Sequence, residues 1–506
     1  MRAKIVSHLL VTLGLVALSV AATLVQAAPA RNVILFISDG ASWGTWDMAS
    51  YYQYGQKGMQ AYDGFPVKLG MTTYPLNTST TPTNNSTPTV TYDPARAWDQ
   101  TPNAGAYGGF ASRFNGYDYI KRDYTDSAAA GTALSTGVKT YNNAIDVDNY
   151  GQDLAYITQR AKAQGKSTGI LSSVPYSHAT PATFGSTNRN RNNYGEISKE
   201  MINNPAVDLI MGGGNPNYDS NGKLRATPVF ANETGTGGGY MSRTAWNTVN
   251  DPSKWQLLQT KGDFEALANG TLTLTGQKII GLPQVYDTLQ YSRSGAVVGT
   301  GAPTPSGKAY IDTVPTLETM TRGALNVLSK NQDGFFMMVE GGAVDWAAHA
   351  RDTAGIIEEQ IAFNKAVQAA VNWVEANSNW NETLMIVLTD HGNGMPMGPD
   401  SDTVAFDAIE NKGAGNLPGV RWHYNTHTNE NTLLWAKGAN ADLFYREVDG
   451  VDPGLVNVLG FNDGRYITNS DVGSVLHAAM VSEPASCALM LAGLGLMGFS
   501  GRRQVP

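Results

Sequence analysis

The chain has 506 residues, of which 42% are hydrophobic and 15% charged, with a formal net charge of -8. This composition supplies a full core and excludes wholesale disorder, and the acidic balance argues against nucleic acid as a partner. The single cysteine, Cys487, lies in the C-terminal tail. An internal disulfide or a thiolate metal site is therefore excluded, and any metal must sit on histidine and carboxylate side chains.

Residues 1–28 read as a signal peptide. Arg2 and Lys4 supply a positive start, His8–Val20 is largely apolar, and Val25-Gln26-Ala27 offers a small-residue cleavage site. Residues 29–480 then read as one domain. Arg31–Ser38 (RNVILFIS) is a short apolar run of the kind that forms a buried parallel strand, and it ends in Asp39-Gly40. Residues 66–115 are rich in turn formers, including STTPTNNSTPT, and read as loop or surface insertion. Ser127–Leu134 is an Ala-rich helical stretch and Asp153–Ala163 a second helix. Ser167–Ser172 and Val207–Met211 read as strands.

From 216 to 314 periodicity weakens and glycine is frequent, which points to a large insertion subdomain. Gly334–Val339 is an apolar strand ending at Glu340, and Asp345–Ala376 is mainly helix. Thr383–Thr389 is a strand ending at Asp390-His391, and Asn431–Ala436 is another. Strands alternating with helices predict an α/β three-layer sandwich, a mostly parallel central sheet flanked by helices. Polar residues repeatedly follow strand ends, where such sheets bind ligands.

Residues 481–506 are distinct. Val481-Ser482-Glu483-Pro484 precedes an apolar run from about Cys487 to Phe499, and Arg502-Arg503 follows. The run is short for a membrane helix, although the closing arginines suit a positive-inside stop. Glu-Pro, a short apolar stretch and basic residues together resemble a PEP-CTERM sorting tail. That resemblance implies a Gram-negative envelope protein, exported to the periplasm or cell envelope or secreted, and handled by an exosortase-type sorting machinery.

The chemistry-bearing residues are Asp39, Glu340, Asp345, His349, Asp390, His391 and His427. Any one carboxylate after a strand reads equally as a turn or helix cap. Asp345 and His349, four apart on a helix, share a face, as a zinc site requires. VEGGAVDWAAH places three ionisable groups in an apolar stretch, and buried charge is costly unless paired or metal-bound. Asp126-Ser127 precedes Ala128-Ala129-Ala130, so Ser127 sits at a helix start. It is either part of a plain cap or a nucleophile facing a phosphoryl group over exposed amides.

DSAAAGTALSTGVKTYNNAI, with NVILFISDG, VEGGAVDWAAH, LTDHGNG and HTNENTLL in that order, resembles the alkaline phosphatase family. The resemblance runs from about Asn32 to Ala436 and is poor over 216–310. It implies hydrolysis of small phosphomonoesters to an alcohol and inorganic phosphate through a phosphoserine at Ser127. It further implies two Zn2+ ions and one Mg2+. Asp345, His349 and His427 would ligate the first zinc, and Asp39, Asp390 and His391 the second, joined by Ser127. Asp39, Thr180 and Glu340 would hold magnesium. Many relatives are homodimers, which the resemblance extends to this chain.

A phosphate-clamping arginine is expected at Arg191 or Arg189, both within NRNRNN, with the Asn-Asn-Tyr after Arg191 favouring that residue. His178 stands where the best-known bacterial pattern has Asp near magnesium, and Trp346 where it has Lys near the first zinc. His423, close to His427, is an alternative ligand. Two rival readings stand beside this one. A phosphodiesterase or sulfatase of the same superfamily is disfavoured by Ser127 and Arg191. A non-catalytic envelope binding protein would need no intact metal set.

Overall fold

Asn32–Ile37 (β1) is apolar from Val33 onward, and the computed structural model buries it on both faces. The structure describes residues 28–295 and 304–481, so the signal peptide and the tail beyond Val481 lie outside the described residues. Residues Ala30–Val481 form one compact unit. Its centre is an eleven-stranded sheet. The other strands are Val67–Thr72 (β2), Ser167–Pro175 (β3), Leu209–Gly213 (β4), Trp255–Leu258 (β5), Lys278–Gly281 (β6), Phe335–Glu340 (β7), Thr383–Leu388 (β8), Thr432–Gly438 (β9), Gly450–Val451 (β10) and Arg465–Thr468 (β11). They lie in the order β10-β11-β2-β9-β8-β1-β7-β3-β4-β6-β5. All run parallel to β1 except β9 and β10.

Strand alternation makes the three layers. Ile34 and Phe36 of β1 join Met337, Val339, Met385 and Val387 on one face, against helix Thr353–Asn377. Phe36 meets Phe363 of that helix edge-on at 5.8 Å. Val33, Leu35 and Ile37 face the other way with Phe336, Met338, Leu384 and Ile386. They pack under helices Ser127–Thr136 and Asn469–Met480 through Ala128, Leu134, Val472 and Leu476. Burying each such aliphatic or aromatic side chain contributes about 1.5–3 kcal/mol. Exposed ion pairs such as Arg31–Glu382 contribute about 1 kcal/mol at most, so the two apolar layers carry the stability.

The register of the central strands sets the site. Ile37 pairs with Leu388 on one side and with Glu340 on the other. Asp39 and Asp390, each two residues past a strand end, are thereby brought level above Glu340. Ser172 of β3 pairs with Glu340 in turn.

Two readings of the sequence are corrected and one is refined. Residues 66–115 are not wholly loop, because Val67–Thr72 is an interior strand between β9 and β11. Residues 216–314 contain β5 and β6, which extend the main sheet beyond β4 and do not build a sheet of their own. The helical stretch after Asp345 is two helices, Ala343–His349 and Thr353–Asn377. The break falls at Arg351, which takes φ 55°, and Asp352 then caps the second helix by accepting from Gly355 N.

Candidate metal centre and active site

Asp39, Glu340 and Asp390 are buried at the C-terminal ends of three adjacent parallel strands. Gly40 N and His391 N both donate to Asp390 Oδ1, at 3.0 and 2.9 Å. Ser172 Oγ donates to Glu340 Oε2, and Thr180 Oγ1 lies 3.5 Å from Asp39 Oδ2. His391 Nε2 is 3.2 Å from Asp390 Oδ2 and 3.6 Å from Asp39 Oδ1. Neither contact has hydrogen-bond geometry, and no hydrogen bond reaches Asp39 Oδ1, Asp390 Oδ2 or Glu340 Oε1 among the described residues.

A second group adjoins the first. Asp345 Oδ1 is 3.4 Å from His427 Nε2, and Asp345 Oδ2 is 3.4 Å from His349 Nε2. The two imidazole Nε2 atoms lie 3.2 Å apart. Each of these rings is aimed by a backbone carbonyl at its other nitrogen. His349 Nδ1 lies 2.9 Å from Asn425 O, and His427 Nδ1 lies 2.8 Å from Thr125 O. The rings of His391 and His427 stack at 3.7 Å, joining the two groups.

Electrostatics show what the cluster favours. Burial, then the neighbouring Asp390, Asp345 and Glu340, holds the Asp39 carboxyl well above the usual range. Burial lifts Glu340 to about 7 and Asp390 to about 6. Burial pushes the Asp345 carboxyl the same way, but His349 and His427 outweigh it and hold that carboxyl low. His349 is raised to about 9, because Asp345 outweighs the effect of burial. His391 is pushed well below its ordinary value by burial and by His427, so its ring is a neutral donor. Three crowded, incompletely bonded carboxylates beside neutral imidazole nitrogen form a site that a cation would satisfy. Asp39, Asp390 and His391, and likewise Asp345, His391 and His427, each present one donor atom within 4.8 Å of the others. The residues present therefore fit divalent metal.

Ser127 opens its helix beside this cluster, with Oγ 3.2 Å from His391 Nε2. Asp126 caps the helix, its Oδ1 accepting from Ala129 N at 3.0 Å. Asp126 Oδ2 pairs with Arg191 Nη1 at 2.9 Å, and Arg191 lines the same cleft as Ser127. Arg189 turns away, its Nη2 donating to Gly151 O at 2.7 Å. His178 also lines the cleft and packs against Trp346 at 5.7 Å and Tyr194 at 6.2 Å. Burial, then Arg191, lowers His178 to about 3. His423 lies elsewhere, bonded to Ser401 Oγ at 2.7 Å and packed on Tyr117, so it does not join the metal group.

Several participants were missed by the sequence reading. Asn393 Nδ2 donates to Asp345 Oδ1 at 2.6 Å, and its only signal was a position within LTDHGNG. Ser172 on Glu340 had no signal beyond ending a strand. Tyr124 and Tyr291 line the cleft, and Tyr291 comes from a segment with no periodicity to read.

The family model for alkaline phosphatase matches residues 95–414. The chain belongs to the alkaline phosphatase family. A second match, to the PEP-CTERM protein-sorting motif, covers residues 481–504. This family member is 33% identical over 282 residues to alkaline phosphatase 3 of Bacillus subtilis, covering 55% of this chain and 51% of the relative. It thus spans about half the length of that curated relative. It is 28% identical to an alkaline phosphatase of Escherichia fergusonii, over 82% of this chain and 85% of the relative. The fold is shared with a cold-active alkaline phosphatase from the psychrophile Shewanella sp., at TM-score 0.58 and 20% identity, covering 89% of this chain and all of that one.

Proposed function

We propose that the chain hydrolyses phosphate monoesters to an alcohol and inorganic phosphate through a covalent phosphoserine at Ser127. The observation that carries this reading is the joint placement of Ser127 Oγ, Arg191 and the carboxylate–imidazole cluster around one cleft. Asp345, His349 and His427 would hold one Zn2+, and Asp39, Asp390 and His391 the other. Asp39, Thr180 and Glu340 would hold Mg2+. When bound, these cations lower the pKa of coordinated hydroxyls and neutralise phosphoryl charge.

The protein's own residues perform the rest. Ser127 Oγ gives up its proton and attacks phosphorus, the ester P–O bond breaks, and the ester oxygen leaves with the bonding pair and takes up a proton as the alcohol. Water then loses a proton and attacks the phosphoserine in line from the vacated side, the Oγ–P bond breaks, and Oγ takes up a proton to restore Ser127. Arg191 presents its planar fork to two non-bridging oxygens, and Asp126 holds that fork in register with the nucleophile. Amides at the head of the Ser127 helix add partial positive charge. His178 and Trp346 pack beside the cleft and shape it.

Residues 29–480 would be the exported catalytic domain, between the signal peptide at 1–28 and the sorting tail at 481–506. Among the described residues no helix is long and apolar enough to cross a membrane. Handling of the tail by envelope sorting machinery, and a homodimer, are part of the same proposal.

The test is turnover of p-nitrophenyl phosphate by the mature domain with zinc and magnesium, beside Ser127→Ala and beside bis-p-nitrophenyl phosphate. Monoester turnover lost with the serine and with chelation supports the proposal. Preference for the diester would replace it with a phosphodiesterase. An inactive, metal-free protein would leave an envelope binding protein.

A further inference from the structure

The cleft around Ser127 has an unusual wall. Besides charged groups it is lined by Tyr124, Trp346 and Tyr291. Each comes from a different part of the chain and each is half-buried, with ring surface left toward solvent. Tyr124 sits edge-on to His427, centroids 6.0 Å apart, and Trp346 lies between Asp345 and His349 on one helix. Tyr291 is supplied by the segment of weak periodicity between residues 216 and 314.

That segment is fastened firmly. Leu289 N donates to Ser173 O at 2.9 Å, at the active-site end of β3. Arg293, buried, pairs with buried Glu358 on helix Thr353–Asn377 at 2.5 Å. The same guanidinium donates to Gln290 O, Lys308 O and Ala309 O at 2.9, 2.9 and 2.8 Å. Between these anchors the Tyr291 ring rests on Gly355. A Cβ there would lie 2.5 Å from Asp352 Oδ2 and 2.7 Å from the Tyr291 ring edge, so a side chain at this position would displace one or both. Burial, with Asp352 and Glu359 adding to it, raises the Tyr291 phenol to about 12, so the ring stays uncharged in alkaline solution.

We propose that Tyr291, with Tyr124 and Trp346, forms a pre-organised aromatic frame that takes a planar ring on the leaving group. The preferred substrate class is then nucleoside 5′-monophosphates over sugar phosphates of equal charge. The inference rests on the phosphomonoesterase reading and adds substrate preference to it. A base brings π-surface to rings already held in place, and little ordering entropy opposes the contact.

The test compares AMP with ribose 5-phosphate, which share the 5′ leaving alkoxide and differ at C1′, where one carries adenine and the other a hydroxyl. Metal-loaded wild type is expected to favour AMP in kcat/KM by about five-fold or more. In Tyr291→Ala the ratio of the two kcat/KM values should fall toward one, through a higher KM for AMP. Tyr291→Phe, which keeps the ring, should restore the ratio. Equal kcat/KM for both substrates in wild type would overturn the inference, as would an unchanged ratio in Tyr291→Ala. Absence of turnover of both substrates by wild type would remove the phosphomonoesterase reading itself, and this inference with it.

Discussion

Asp126 joins Arg191 to the helix that carries Ser127. Its Oδ2 pairs with Arg191 Nη1 at 2.9 Å, while its Oδ1 accepts from Ala129 N and from Asn143 N, each at 3.0 Å. The proposed nucleophile and the proposed phosphate clamp are therefore positioned by one carboxylate. Asp126→Ala should lower stability by about 1 kcal/mol through the lost cap. It should also free the Arg191 side chain, raising the inhibition constant for inorganic phosphate roughly ten-fold while affecting kcat less. Product inhibition titrated in both proteins checks this. An unchanged inhibition constant would mean that Arg191 needs no help from Asp126.

Metal-free protein should lose stability at this cluster as pH rises. Asp390 has a folded pKa of about 6 and Glu340 of about 7, both above their ordinary values of 3.8 and 4.5. A raised folded pKa means that the stabilising contribution is complete below pH ~4 and is lost as pH climbs through 6 to 7. His349, raised to about 9, acts in the same sense at higher pH. For Asp390 the loss by pH 7 is on the order of 3 kcal/mol. Burial lowers His178, His391, His423 and His477, and these act in the opposite sense up to about pH 6.5, so the test is a difference between proteins. Urea midpoints in EDTA should fall for wild type relative to Asp390→Asn between pH 4 and 7. Adding zinc at pH 7 should restore wild type and not the variant. Parallel wild-type and variant curves over this interval would contradict the charge crowding inferred for the site.

Asn393 should matter to metal affinity without being a ligand. Its Nδ2 donates to Asp345 Oδ1 at 2.6 Å, and its backbone N–H donates to Ser42 Oγ at 2.9 Å, which holds the residue in place. This fixes which lone pair Asp345 turns toward His427. Asn393→Ala should weaken zinc binding about 10- to 100-fold, read by competition with a chromogenic chelator. Wild-type zinc affinity in the variant would show that His349 and His427 orient Asp345 unaided.

Much of this architecture was legible before the structure. Parallel strands buried on both faces read as unbroken apolar runs, so β1, β7 and β8 stood out, and the acidic residue closing each run marked the sheet end that gathers ligands. The Asp345–His349 spacing needed only helix geometry. β5 and β6 did not stand out, because four-residue strands carry too little alternation to rise above turn-rich surroundings. β2 was hidden by the polar stretch that follows it. The break at Arg351 depends on a left-handed backbone at a non-glycine residue, which local sequence rarely announces. His391 facing both metal groups depends on strand register, and Tyr291 on a fastening through Arg293 and Glu358. Those are long-range relations with no local pattern.

Gly40 gives the sharpest test of how closely the site is built. It follows Asp39, takes φ +70°, and a Cβ there would lie 2.7 Å from Asp345 Oδ1 and 2.9 Å from Asp345 Cα. Any side chain would thus meet both a metal-ligand candidate and its backbone. Gly40→Ala should cost about 1–2 kcal/mol for the left-handed conformation alone. The contact with Asp345 adds to that and pushes Asp345 off its partners. Gly58 separates the two effects, since it has φ +84° and open space where a Cβ would go. Gly58→Ala should lower stability by the conformational term only and leave zinc binding and monoester turnover intact. Gly40→Ala should lose stability and zinc affinity together, the latter by at least about ten-fold. If both variants bind zinc as wild type does, the approach of Gly40 to Asp345 is not what holds Asp345 in place beside Asp39.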